Sequence, residues 1–181
     1  QLLFHCQDFI DYIKTNTVTN PTEILLKDIY NLLYSDDTKA IDISNFIRNW
    51  DNWENGQHLP EAFQDVLEFY IFLYNSLSLN LQNLFSFRAQ EGTGPEQTYS
   101  FLRIPITGFS IRQCVINEVN AETKPITYPP NLFIQLDRAR FGQEMSQDYI
   151  TVNNTILFGD EFYNFIGVIV FINNHYHSII K

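Results

Sequence analysis

The 181 residues suit one domain, and a hydrophobic fraction of 45% with sixteen Phe and ten Tyr supplies a sizeable core, which excludes a disordered chain. Twenty-one acidic against eleven basic side chains give a formal charge of -10, which argues against a nucleic-acid surface and is compatible with a basic protein partner. No apolar run reaches the roughly 18 residues that a bilayer crossing needs. The opening QLLFHCQDFI also lacks a basic leader, so a soluble protein of the cytoplasm or nucleus is expected, with no membrane association.

In chain order, Leu2, Leu3, Cys6, Phe9, Ile10 and Ile13 recur at helical spacing. Ile24, Leu25, Ile29, Leu32 and Leu33 do the same after the starter NPTE. A short segment, DISNFIRNW, leads through the polar turn DNWENGQH into PEAFQDVLEFYIFLYNSL, where Pro60 suits a first helical turn. That last helix, over residues 60–78, is apolar on nearly every face, as in an enclosed helix. Asp65 and Glu68 stand three residues apart on one side of it. Buried carboxylates need a cation or backbone donors, so the pair either caps and braces nearby backbone or lines a binding cleft.

From about residue 80 the runs are β-branched and aromatic: TYSFLRIPITGF, NLFIQLDRARF, QDYITV, FYNFIGVIVFI and HYHSIIK, separated by turns such as EGTGPE and KPITYPPN. Helices followed by strands predict an α+β fold in a single domain. Cys6 and Cys114 form no Cys-x-x-Cys pair, so neither a disulfide framework nor a zinc knuckle is indicated, and both read as core residues. Asn153 lies in an Asn-Asn-Thr glycosylation pattern, which matters only in a secreted protein. His175 and His177 alternate along the last strand and share a face. A zinc site there would need a third ligand, for which Asp160 and Glu161 are a weak supply.

FQDVLEFYIFLYNSL resembles the Gln-Asp-Ala-x-Glu-Phe-x-x-x-Leu-x-x-x-Leu helix of the ubiquitin-specific proteases, the papain-like deubiquitinating enzymes, with Gln64, Asp65, Glu68, Phe69, Leu73 and Leu77 on the pattern. YPPNLFIQLDRARF is similar to the family's Leu-Pro-x-x-Leu-x-x-x-Leu-x-Arg-Phe strand through Pro129, Leu132, Leu136 and Arg138. FYNFIGVIVFINNHYHSIIK resembles the Tyr-x-Leu-x-Gly-Val-x-x-His stretch and the Gly-His-Tyr box after it, and QLLFHCQDFIDYI resembles the helix that follows the cysteine box.

The resemblance implies a papain-like fold, with a helical thumb over 1–79 followed by an antiparallel sheet palm with reduced fingers over 80–181. It makes His175 the catalytic histidine and gives Gln64, Asp65, Glu68 and Tyr176 substrate-binding positions. The implied reaction is hydrolysis after the C-terminal glycine of ubiquitin by Cys-His-Asp/Asn thiol chemistry, with ubiquitin or ubiquitinated proteins as partners and neither cofactor nor metal. If Gln1 is the glutamine of the cysteine box, the nucleophile lies seven residues before it, and the final acid falls beyond Lys181. Phe171 stands where the family commonly has His, Asn174 where Gly usually precedes the histidine, and only Ile172, Asn173 and Asn174 separate Phe171 from His175. A catalytically inactive relative that binds ubiquitin or acts as a scaffold is the alternative, and an unrelated acidic interaction domain is a third.

Overall fold

The computed structural model describes residues 2–35, 41–51, 65–137, 149–172 and 175–181, which fall into two compact units. The first unit joins Gln1–Gln82 with Val170–Ser178, and the second joins Asn83–Ile169 with Ile179–Lys181.

A short 3-10 turn, Leu2–His5, opens the helical unit and runs into α1, Gln7–Thr15, which buries Phe9, Ile10 and Ile13 on one stripe. The NPTE starter works as its residue types require. The Asn20 side chain accepts the N–H groups of Thr22 and Glu23 at 2.9 and 3.2 Å, and Pro21, which has no N–H to leave unpaired, takes the first position of α2, Pro21–Leu33. Helix α3, Ser44–Asn49, ends at Trp50, the largest fully buried side chain described. Its indole stacks on Phe46 at 5.3 Å, meets Phe69 edge-on at 5.4 Å, and donates its N–H to Thr22 Oγ1 at 3.1 Å.

Helix α4 spans Val66–Ser76 and is followed by α5, Leu79–Gln82. The expected start at Pro60 lies outside the described residues. Of the α4 side chains only Leu73 is buried, with Leu77 just beyond; the rest of the apolar residues are half-buried, so the helix is less enclosed than its composition implies. A polar clasp holds its end to the start of α2. Asn20 Nδ2 donates to the Ser76 carbonyl at 2.9 Å, and the buried Glu23 carboxylate accepts the Ser78 N–H at 2.8 Å.

In the second unit β1, Phe87–Glu91, is the centre of an antiparallel sheet between β2, Glu96–Tyr99, and β4, Thr123–Pro125. Strand β3, Leu102–Pro105, pairs in parallel with β5, Ile134–Asp137, in a register that lets Arg103 reach Asp137 at 2.8 Å. Two of the β-branched and aromatic runs, TYSFLRIPITGF and FYNFIGVIVFI, are each broken. The first divides at Ser100–Phe101, and the second at Phe165–Ile166 into β7, Glu161–Asn164, and β8, Gly167–Ile172. Strand β6, Thr155–Phe158, forms a tight antiparallel hairpin with β7, and β8 pairs with β9, His175–Ile180.

Two features depart from the expected antiparallel palm. The strands form four small sheets among the described residues, and β3–β5 is parallel because the chain makes a helical crossover between them. That crossover contains α6, Ile111–Ala121, in a stretch that strand-rich composition had hidden. Its Cys114 and Val115 enter a core of Phe87, Ala89, Leu102, Ile104 and Phe158. The described part of QDYITV makes a single bridge, Thr151 to Ser110, and no strand.

Candidate functional site

The candidate residues with described positions sit on two elements of the helical unit. Asp65 is the N-cap of α4: it is exposed, in extended backbone, and its Oδ1 accepts the N–H groups of Leu67 at 2.8 Å and Glu68 at 3.1 Å. One carboxylate oxygen thereby satisfies two of the N–H groups that a helix leaves unpaired at its start. Glu68, half-buried in the first turn, adds negative charge at the positive end of the helix dipole. Asp65 thus stands just before α4 and Glu68 in its first turn. Gln64 and Arg138 lie outside the described residues.

His175 opens β9, with Tyr176 and His177 after it, and all three are exposed. Strand alternation puts the two histidines on one face and Tyr176 on the other. Tyr176 meets Phe171, on β8, with ring centroids 4.8 Å apart and planes inclined by 46°. Among the described residues no hydrogen bond or ion pair joins His175 to Asp65 or Glu68.

Neither cysteine of the chain is prepared as a nucleophile. Cys6 is buried with its Sγ against the Leu2 carbonyl at 3.7 Å, and burial, helped by the negative charge of Asp8, pushes its thiol up to about 11. Cys114 is fully buried in the core of the second unit, its Sγ 3.8 Å from the Gly108 carbonyl. Among the described residues no three His, Cys, Asp or Glu side chains come together as a metal site; Asp160 and Glu161 belong to the turn and first residue of the β6–β7 hairpin. The Asn153 amide oxygen accepts the N–H of Arg112 at 3.0 Å and so helps to seat the start of α6. No helix among the described residues is long and apolar enough to cross a membrane.

Sequence reading missed the polar clasp between α2 and α4, although the Asn-Pro-Thr-Glu signal marks both of its donors and acceptors on α2. It also missed α6, for which Ser110-x-x-Gln113 is a capping-box pattern: the Ser110 hydroxyl accepts the Gln113 N–H at 3.2 Å.

No model of a known protein family matches this sequence, and no curated protein matches it. Solved structures do match. A chain of the SAGA DUB module of Ubp8, Sgf11, Sus1 and Sgf73 bound to monoubiquitin aligns with 98% of this chain and 56% of that chain, with a TM-score of 0.74 and 15% identity. The likeness is one of fold. The same module bound to ubiquitin aldehyde gives a TM-score of 0.68 at 17% identity over 98% of this chain and 57% of that chain. A further structure of the module gives 0.66 at 17% identity over 98% and 54%. This chain therefore spans little more than half the length of the chains it matches, and nearly all of it follows their course. A fold shared with a deubiquitinase module is the one that the resemblance to the ubiquitin-specific proteases leads one to expect.

Proposed function

We propose that this chain is part of a deubiquitinase domain of the ubiquitin-specific-protease type, with ubiquitin or ubiquitinated proteins as its partners and the cytoplasm or nucleus as its place of action. The observation that carries the reading is the alignment of 98% of the chain with a DUB module bound to monoubiquitin. The four motif resemblances, in the order in which the family has them, support it from the sequence side.

In this reading His175 serves a cysteine that precedes Gln1, since Cys6, with its thiol at about 11, is neutral at physiological pH and Cys114 is buried. The histidine takes the thiol proton, and the thiolate attacks the carbonyl carbon of the terminal glycine of ubiquitin. The C–N bond breaks as the imidazolium protonates the departing amine, leaving a thioester. Water, losing its proton to the imidazole, then releases the ubiquitin carboxylate and regenerates the cysteine. A downstream Asp or Asn orients the imidazole. The carboxylates of Asp65 and Glu68, with Gln64 and Tyr176, take the extended, basic tail of ubiquitin, and an arginine there forms charge-assisted hydrogen bonds with Asp65. The chemistry uses no metal or cofactor.

The test uses the parent polypeptide and ubiquitin bearing a C-terminal electrophile. A one-to-one covalent adduct is expected, formed at least ~100-fold more slowly by His175→Ala. The departures around His175, Phe171 among them, favour one second reading, an inactive relative that binds ubiquitin. Reversible binding without an adduct would select it. A folded parent that neither reacts with ubiquitin nor binds it would overturn both.

A further inference from the structure

A two-stranded ribbon with little buried apolar surface holds its register by its turn and its cross-strand side-chain pairs, and a slip of one residue moves each side chain to the opposite face. The β8–β9 ribbon is such a case, because Ile169, Phe171, Tyr176 and Ile179 are all exposed and no third strand is paired with it among the described residues. At its base the Lys181 N–H donates to the Ile166 carbonyl at 2.9 Å. Five residues along each strand from that bond stand Phe171 and Tyr176, and their rings meet at 4.8 Å in the same register. Alternation then sets His175 and His177 on the face away from the ring pair. In a ribbon shifted by one residue, His175 and Tyr176 would exchange faces.

Phe171 is 56% exposed and Tyr176 42%, so the pair contributes little to the core, and its worth lies in orientation. We propose that the Phe171–Tyr176 ring pair is the register lock of the ribbon and that Phe171 is a positioning residue for His175. The lock assigns the histidine to its face by fixing the neighbour that must point the other way. This inference rests on the reading of His175 as the catalytic histidine.

The experiment compares the parent polypeptide with its Phe171→Ala and Phe171→Tyr variants by three readouts: the rate of adduct formation with electrophilic ubiquitin, the thermal midpoint, and the cross-strand Hα contacts of the ribbon by NMR. Phe171→Ala is expected to react about 3- to 10-fold more slowly at an unchanged midpoint and to show a second set of cross-strand contacts, while Phe171→Tyr keeps the parental rate and a single set. An alanine variant with the parental rate, or with a loss that merely follows a fallen midpoint, overturns the proposal. If the parent itself forms no adduct, the protease reading fails separately. The contacts then decide alone: two sets in Phe171→Ala uphold the lock, and one set, in the parental register, removes it.

Discussion

The Glu23 carboxylate accepts the backbone N–H of Ser78 at 2.8 Å from a position that is 2% exposed. A backbone donor next to the end of α4 is thereby paired inside the protein by a side chain from the first turn of α2. Glu23→Ala removes the acceptor of that half-buried N–H, and the expected loss is about 1–3 kcal/mol in urea unfolding. Glu23→Gln keeps an acceptor oxygen and is expected to lose less. Equal losses would show that the carboxylate charge, and not the acceptor, matters.

The cap on α4 separates structure from binding. Asp65→Ala removes the acceptor of the Leu67 and Glu68 N–H groups and should cost about 1 kcal/mol. Asp65→Asn keeps an acceptor oxygen and should leave stability nearly unchanged. Under the proposed function both variants weaken ubiquitin binding, because both remove the charge offered to a tail arginine. Calorimetric titration with ubiquitin beside chemical unfolding checks the two effects independently.

Two glycines with positive φ should differ in tolerance. A Cβ on Gly159, at φ +59°, would fall 2.5 Å from the Tyr128 hydroxyl and 2.7 Å from Pro125 Cγ, against the residue whose hydroxyl accepts the Asp160 N–H. Gly92, at φ +52°, has nothing within 4 Å of its Cβ position. Gly92→Ala should cost about 1–2 kcal/mol from backbone strain alone, and Gly159→Ala clearly more. Thermal unfolding of the two variants side by side measures the difference.

Alkaline sensitivity follows from one buried and one half-buried acid. Burial and Asp8 push the Cys6 thiol from 9.0 up to about 11, and burial, with Glu161 and Tyr128 nearby, pushes the Tyr163 phenol from 10.0 up to about 12. Each folded value lies above its unfolded one, so the unfolded state gives up its proton first as pH rises. The Cys6 contribution, on the order of 2–3 kcal/mol, is complete below pH 9 and lost as pH climbs through 11. The Tyr163 contribution fades between 10 and 12, where its hydroxyl also loses the proton it donates to the Pro129 carbonyl at 2.7 Å. Unfolding free energy measured from pH 8 to 12 should fall, less steeply over 9–11 in Cys6→Ala and over 10–12 in Tyr163→Phe.

Local signals carried the helical half well. Asn20-Pro21-Thr22-Glu23 announces α2 by its chemistry, and the spacing of Phe9, Ile10 and Ile13 places the α1 stripe. What stayed hidden depended on partners distant in sequence. β-branched Ile111, Val115, Ile116 and Val119 look strand-like, yet Ser110 caps a helix there and Cys114 with Val115 fill a core. The parallel β3–β5 pair could not be read without knowing that α6 carries the chain back. At the candidate site, the histidine alternation was visible because a strand has a period of two. Asp65 falls within the helix expected over 60–78, with capping of nearby backbone as one of its two readings, and it caps α4 itself. The facing of Phe171 and Tyr176 required the register of two strands, which no single strand encodes.

The clasp between α2 and α4 also orders events during synthesis. Glu23 and Ser78 are 55 positions apart, so at about 5–20 residues per second the ribosome delivers the second partner roughly 3–11 s after the first. Throughout that interval the carboxylate stays hydrated, and the N-terminal turn of α2 has no reason to bury it. Closing the clasp thus withdraws a charged group from water, and it waits for a serine amide that has not yet been made.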